Sequence, residues 1–223
     1  MSAWFVRELR LDLDWRVIPM QGWQPDSAPG HGWPLGERSW VNPSPNAANL
    51  WMARAYAGTV MLEGTTLSEG RGTTRPLEVI GAPDLPVEPL LRTMRELAPQ
   101  WLDGCRLRST WFEPTFHKFT GQLCAGIQLH VDETAYDHHA FRPWRLVALA
   151  FKALRQLQPD YLLWRDFAYE YERDRLAIDI INGSTLLRDW VDDRAAVPSD
   201  LDALALRDER DWQERVVDLL IYR

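Results

Sequence analysis

The 223-residue chain has two cysteines, no cluster of basic residues and no long apolar run, and each scarcity excludes something. Two cysteines cannot staple a disulfide-rich scaffold. Cys105 and Cys124 fall in stretches that read as neighbouring strands, where one bridge would fit, but buried thiols are the simpler expectation. The 25 Lys and Arg are outnumbered by 32 Asp and Glu, for a net charge of -7. They are spread along the chain, without the clustered basic footprint that phosphate backbones require, so no nucleic-acid partner is expected. No stretch approaches the roughly 18 apolar residues needed to cross a membrane, and residues 1–10 lack the basic-then-apolar layout of a signal peptide. A soluble chain with no membrane partner is the expectation. Also missing are Gly-x-x-x-x-Gly-Lys, Gly-x-Gly-x-x-Gly and Gly-x-Ser-x-Gly, so phosphate cradling, dinucleotide binding and serine acyl transfer are not indicated.

At 46% hydrophobic, the chain can bury one sizeable core, and residues 1–223 read as a single domain. Twelve tryptophans exceed the six tyrosines and the seven phenylalanines. Indole is a large flat apolar surface with one donor, suited to core packing and to sugar faces alike, so most should pack and a few line a groove.

Periodicity predicts short helices over 3–9 and 46–56, an amphipathic helix over 87–97, and a longer one over 142–157 with Pro143 in its first turn. Residues 14–20 and 58–63 read as strands. Residues 21–46, rich in Pro, Gly, Ser and Asn but holding Trp23, Trp33 and Trp40, read as a long ordered loop. Alternation marks 105–113 and 122–131 as strands able to pair in antiparallel fashion. Residues 176–181 run apolar to the turn signal Asn182-Gly183, Ser184 is placed to cap a helix through Trp190, and a last helix runs from Ser199 toward Tyr222.

Chemistry concentrates in Glu63-Gly64-Thr65-Thr66-Leu67-Ser68-Glu69-Gly70-Arg71-Gly72-Thr73-Thr74-Arg75-Pro76, where carboxylates, guanidinium groups and hydroxyls surround glycines that let a ligand approach the backbone. Two readings fit: a polar turn in which Glu69 pairs with Arg71 or Arg75, or a loop that grips hydroxyl, amide and carboxylate groups. In Asn42-Pro43-Ser44-Pro45-Asn46, prolines fix the backbone while Asn42, Ser44 and Asn46 offer hydrogen bonds; Asn46 alternatively caps the helix that follows. Lys118, after Pro114, is a solvated charge or a ligand contact. His130 and Asp132 share a strand face, but two ligands do not make a metal site, and His138 and His139 have no recognisable spacing to them. No metal or cofactor is expected.

Several blocks recur in a known order: Met20-Gln21-Gly22-Trp23, Asn42 to Asn46, Gly58 to Thr65, Ser68 to Pro76 with Glu78 and Ile80-Gly81-Ala82-Pro83, Pro114 to Phe119, and Cys124 to Val131. Over residues 3–190 this pattern resembles the C-terminal part of the bacterial exo-β-N-acetylmuramidase family of peptidoglycan glycosidases. The resemblance implies an α+β domain, a mixed, largely antiparallel sheet flanked by helices. In the family this domain follows an N-terminal Rossmann-like domain, which carries a catalytic acidic residue in a Pro-Glu-His-Gly block, with the active site in the cleft between the two. No counterpart of that block occurs here. The implied function is part of an enzyme that removes terminal β-N-acetylmuramic acid from peptidoglycan fragments, working with a separate or missing N-terminal half. The alternative is a non-catalytic muropeptide- or sugar-binding module. Family members are often exported, which leaves the compartment open. Two carboxyl groups flank the scissile bond in most glycosidases, so Glu69 and Glu63 are the candidate catalytic residues. Arg71, Arg75 and Lys118 are candidates for the lactyl carboxylate of the sugar, and Asn42, Ser44, Asn46, Thr73, Thr74 and His130 for its hydroxyl and amide groups.

Overall fold

Leu146, Leu149, Ala150, Ala153 and Leu154, spaced in the sequence for one side of a helix, are fully buried in the main hydrophobic core. The structure, a computed structural model, describes residues 1–24, 32–34, 36–37, 39–132 and 134–222. In chain order it contains α1 (Ser2–Glu8), α2 (Leu50–Thr59), a 3-10 turn (Val60–Gly64), β1 (Val79–Ala82), α3 (Val87–Leu97), a 3-10 turn (Pro99–Leu102), β2 (Arg106–Phe112), β3 (Cys124–His130), α4 (Pro143–Leu157), α5 (Ala177–Asn182), α6 (Leu186–Asp192), α7 (Pro198–Val216) and a 3-10 turn (Val217–Leu219). Helices around a small sheet make an α+β protein, as expected. The chain divides into two compact units, residues 40–201 and residues 1–39 with 202–223.

In the larger unit the strand order is β1-β3-β2, antiparallel throughout, so the described sheet contains no parallel pair. β3 has a neighbour on each edge and is buried from Cys124 to Leu129, whereas β2 at the sheet edge is largely exposed or half-buried. The expected pairing of the two alternating segments is present, with Arg106 opposite His130 and Phe112 opposite Cys124. That register puts Cys124 at the other end of the hairpin from Cys105, and both thiols are free. Burial pushes the Cys105 thiol up to about 12 and the Cys124 thiol up to about 11, so neither is a thiolate at neutral pH. β1 has only four residues, too few to show an alternation. A Cβ on its Gly81 would lie 2.5 Å from the Phe112 ring, so this bare stretch of backbone is the floor on which Phe112 rests.

α3 turns Val87, Leu90, Leu91 and Met94 inward, and α4 is buried continuously from Leu146 to Leu154. Lys152 interrupts that apolar run. Its Nζ donates to the Trp190 carbonyl at 2.8 Å and to the Asp193 carbonyl, carbonyls at the C-terminal end of α6, so the buried ammonium is hydrogen-bonded as its desolvation requires.

Several sequence expectations change. Residues 58–63 are not a strand: α2 runs to Thr59 and continues into the 3-10 turn, with Met61 and Leu62 buried. Thr59 Oγ1 donates to the Ala55 and Leu77 carbonyls at 3.2 and 2.8 Å. A short apolar run fits a strand and a buried helix equally well, and here the preceding helix decides. α2 begins at Leu50 rather than at residue 46, because Asn49, not Asn46, caps it: Asn49 Oδ1 accepts from Met52 N at 2.8 Å. Residues 177–182 are helical, stopped by Gly183 in a left-handed conformation at φ 81°. Thr185, rather than Ser184, flanks α6, and its hydroxyl donates to Asp189 at 2.7 Å.

In the smaller unit α1 and the distal part of α7 meet through Trp4 and Trp212, with ring centroids 5.3 Å apart, and Arg7 pairs with Asp218 at 3.3 Å. Residues 14–20 form no strand; they are exposed, and Arg16 and Asp14 pair locally at 2.9 Å. The ordered loop expected over 21–46 lies partly outside the described residues, at 25–31, 35 and 38.

The close approach of α2 to α4 generates a test. A Cβ on Gly58 would sit 2.1 Å from the Pro143 carbonyl oxygen, so Gly58→Ala forces the helices apart. The expected cost is about 1–3 kcal/mol, read as a lower urea midpoint at constant m value; an unchanged midpoint would contradict this contact.

Candidate functional site

The glycine-rich loop is fixed by its own backbone. Ser68 N donates to Gly81 O at 2.7 Å and Gly81 N donates back to Ser68 O at 3.0 Å, fastening the loop to the outer edge of β1. Gly70 and Gly72, at φ 71° and 79°, make the turn that L side chains resist. Thr73 closes it, its Oγ1 donating to Gly70 O at 2.7 Å and accepting from Arg75 N at 3.2 Å. Leu77 N then donates to Glu69 O at 2.7 Å. The loop's one fully buried charge is Glu69, whose side chain is 1% exposed.

Three basic side chains converge on that carboxylate. Lys118 Nζ lies 2.7 Å from Oε2. Arg71 Nε donates to Oε1 at 2.6 Å, and His117 Nδ1 is 3.1 Å from the same oxygen. His117 and Lys118 come from the β2–β3 connection, where His117 and Phe119 take positive φ values of 69° and 56°. Such strain is tolerated where surrounding contacts over-determine the backbone, and Lys118 supplies them: Nζ also donates to Leu62 O at 2.7 Å and Thr65 O at 3.2 Å. These carbonyls belong to the 3-10 turn and the residue just after it, so Lys118 ties the turn to the loop. The turn carries Glu63, whose Oε1 accepts from Arg71 Nη2 at 2.7 Å and whose Oε2 accepts from the Tyr169 hydroxyl at 3.0 Å.

Electrostatics follow the geometry. Burial alone would raise the Glu69 pKa, but the charge and hydrogen bonds of Lys118 and Arg71 outweigh it and hold it at about 2. Lys118 is brought down to about 8, burial opposing its charge more than Glu69 supports it; at neutral pH both groups are ionised. Burial, then the charge of Glu63, pushes the Tyr169 phenol up to about 12, so it remains a donor.

Glu63, Arg71 and His117 border an open cleft of about 340 Å³ whose other lining residues are Phe116, Arg165, Phe167 and Tyr169. Four of the residues singled out in the sequence therefore come together: Glu63 and Arg71 on the cleft, Glu69 and Lys118 behind it. The others do not line it. Thr73 holds the turn, and Thr74 is exposed. Arg75 pairs at 3.1 Å with buried Glu78, which also accepts from Asn49 Nδ2 at 3.3 Å; burial raises the Glu78 pKa despite Arg75. His130 ends β3, six residues from the end at which Lys118's loop enters, roughly 20 Å at about 3.3 Å per residue, and its Nδ1 lies 3.8 Å from Asp132. Asn42 and Ser44 are exposed, and Asn46 N donates to Ser44 Oγ at 3.3 Å. Arg165, Phe167 and Tyr169 were not anticipated. The available signal was the interleaving of aromatic and charged residues in Trp164-Arg165-Asp166-Phe167-Ala168-Tyr169.

Since the folded-state pKa of Glu69 lies below its ordinary 4.5, its contribution to stability is complete above about pH 4.5 and is lost as pH falls through about 2. That contribution is roughly 3 kcal/mol. Glu69→Gln leaves Lys118 and Arg71 facing a neutral amide, an expected loss of about 3–5 kcal/mol at pH 7. The variant should also lose less stability than the wild type between pH 4.5 and 2. Urea titrations across that range check both, and parallel pH profiles would show that Glu69 is not the linked group.

The sequence model of a family described as exo-β-N-acetylmuramidase NamZ, C-terminal, matches residues 54–222. The peptidoglycan β-N-acetylmuramidase NamZ of Bacillus subtilis (strain 168) is 33% identical over 160 residues, 72% of this chain but 36% of that protein. The match thus spans little more than a third of that relative's length. Two crystal structures of DUF1343 family proteins from Bacteroides fragilis NCTC 9343 share the fold. One has a TM-score of 0.71 at 18% identity, covering 100% of this chain and 55% of the other. The second has a TM-score of 0.55 at 19% identity, covering 82% and 44%. With its motifs, its α+β fold and a match over residues 54–222 in agreement, this chain belongs to the NamZ exo-β-N-acetylmuramidase family, in the part that forms the family's C-terminal domain.

Proposed function

We propose that this chain forms the sugar-binding half of an exo-β-N-acetylmuramidase, which releases terminal β-linked N-acetylmuramic acid from peptidoglycan fragments together with an N-terminal domain. The observation that carries the reading is Glu63, a carboxylate on the rim of an aromatic-lined cleft, with one oxygen held by Arg71 and the other by Tyr169. Glycoside hydrolysis needs a carboxylate facing the anomeric carbon and an acid that protonates the leaving oxygen. Glu63 takes the first role, fixed in orientation by its two donors. Glu69, also a catalytic candidate from the sequence, is buried and has its carboxylate held at about 2 by its cationic neighbours; it cannot carry a proton at neutral pH. Its part is to position Arg71 and Lys118. The acid then comes from the N-terminal domain, and Phe116 and Phe167 offer apolar faces to the pyranose ring.

A second reading, a non-catalytic muropeptide- or sugar-binding module, is favoured by the fact that both carboxylates of the cluster are ion-paired. A chromogenic β-N-acetylmuraminide separates the two. The chain alone is expected to give no turnover, and the chain mixed with a family N-terminal domain to give turnover. In the mixture Glu63→Gln should lower kcat by about 10²–10⁴ with little change in KM. Sugar binding without turnover in the mixture establishes the non-catalytic module. Turnover insensitive to Glu63→Gln removes that residue from the chemistry.

A further inference from the structure

The cations that the sequence offers for a ligand carboxylate are already engaged. Arg71 spends Nε on Glu69 and Nη2 on Glu63, Lys118 faces Glu69 and two carbonyls, and Arg75 is paired with Glu78. Arg165, which no sequence motif singled out, is different. It borders the cleft, yet its Nη1 is buried without a hydrogen-bond partner and its guanidinium makes no ion pair among the described residues. Nη1 itself has no surface open to a ligand, so it is the rest of this half-buried guanidinium, bordering the cleft without an ion pair among the described residues, that can receive an anion.

We infer that Arg165 is the carboxylate-binding residue of the cleft, taking the lactyl carboxylate of an N-acetylmuramic acid ring; the identity of the ring rests on the proposed function. The residue is held for this task. Arg165 N donates to Gly64 O at 3.1 Å beside the isolated bridge between Thr65 and Trp164, so the main chain is anchored next to the turn that carries Glu63. The guanidinium carbon lies 4.1 Å from the centroid of the Phe167 ring, a cation–π contact that restrains the side chain before a ligand arrives. A planar fork suits two parallel hydrogen bonds to a carboxylate. Charge favours the same ligand: the cluster of Arg71, Lys118 and Arg165 against Glu63 and Glu69 holds three cations and two carboxylates, a local positive excess in a chain of net charge -7. One carboxylate neutralises it. N-acetylglucosamine, the alternate sugar of peptidoglycan, lacks that carboxylate and would leave Arg165 unpaired, so this contact discriminates between the two sugars.

The test follows the Arg165 Nε–H resonance of the full chain by NMR during separate additions of N-acetylmuramic acid, N-acetylglucosamine and D-lactate. Wild-type protein is expected to bind N-acetylmuramic acid at least tenfold more tightly than N-acetylglucosamine, with a shift of the Arg165 signal. Arg165→Gln abolishes the preference and Arg165→Lys restores part of it, both with unchanged circular dichroism. If Arg165→Gln keeps the full preference, Arg165 is not the carboxylate contact, while the sugar-binding reading stands. If D-lactate shifts the Arg165 signal but neither sugar binds, the anion site stands and the proposed substrate falls. An Arg165 signal that responds to no carboxylate overturns the inference.

Discussion

The ion pair between Glu69 and Lys118 is the constraint on which the cleft depends. A carboxylate with 1% exposure is tolerable only if its lost hydration is replaced by charged donors, and those donors arrive from two sequence-distant segments. Arg71 comes from the same loop, while Lys118 comes from a connection about fifty residues further on whose backbone is strained at His117 and Phe119. Because Lys118 also donates to Leu62 and Thr65, the pair fastens three pieces of chain at one point: the 3-10 turn, the glycine-rich loop and the β2–β3 connection.

The arrangement separates a buried carboxylate from one that borders the cleft. Glu69 is buried, permanently charged and fully engaged, so it acts as an anchor. Glu63 stands four residues beyond the end of α2, oriented through Arg71, which reaches both carboxylates. A shift of Glu69 would therefore reach the cleft through Arg71 and through the turn that Lys118 grips. Such a rigid polar network supports a site whose groups are set before the ligand arrives, since no hydrogen bond has to be reorganised on binding. The segment of Arg165, Phe167 and Tyr169 completes the cleft from the other side and is fixed by main-chain pairing to Gly64 and Thr65.

Legibility in the sequence varied with the physics of each element. The α3 stripe and the alternation of β2 were readable because burial of one face imposes a period. The Gly58 to Glu63 run was misassigned because a segment buried on both sides has no period, so the continuation of α2 decided its conformation. β1 was missed as a strand because four residues show no pattern. In the site, the concentration of Glu69, Arg71 and Glu63 in one segment was visible, and so was a pairing of Glu69 with Arg71 or Arg75 as one of two readings; the pairing of Glu63 with Arg71 was not. The structure makes the two readings compatible: the loop is held by Glu69 pairing with Arg71, and that pairing is what builds the wall of the cleft. Thr73, Arg75 and His130 drew attention by type and place, but serve the turn, a second ion pair and the far end of β3.

By itself the sequence determined the family and, through that resemblance, the α+β class, together with the position of the charged loop and the helices that bury one face, because these follow from local pattern or from the order of motifs along the chain. Only the tertiary structure decided which carboxylate borders the cleft, which cations are already spent, and that Arg165 retains an unsatisfied donor. Those properties depend on distances between residues as far apart as 63 and 169, and on the loss of water at Glu69. Neither is a function of spacing in the chain; both arise from how the folded segments meet.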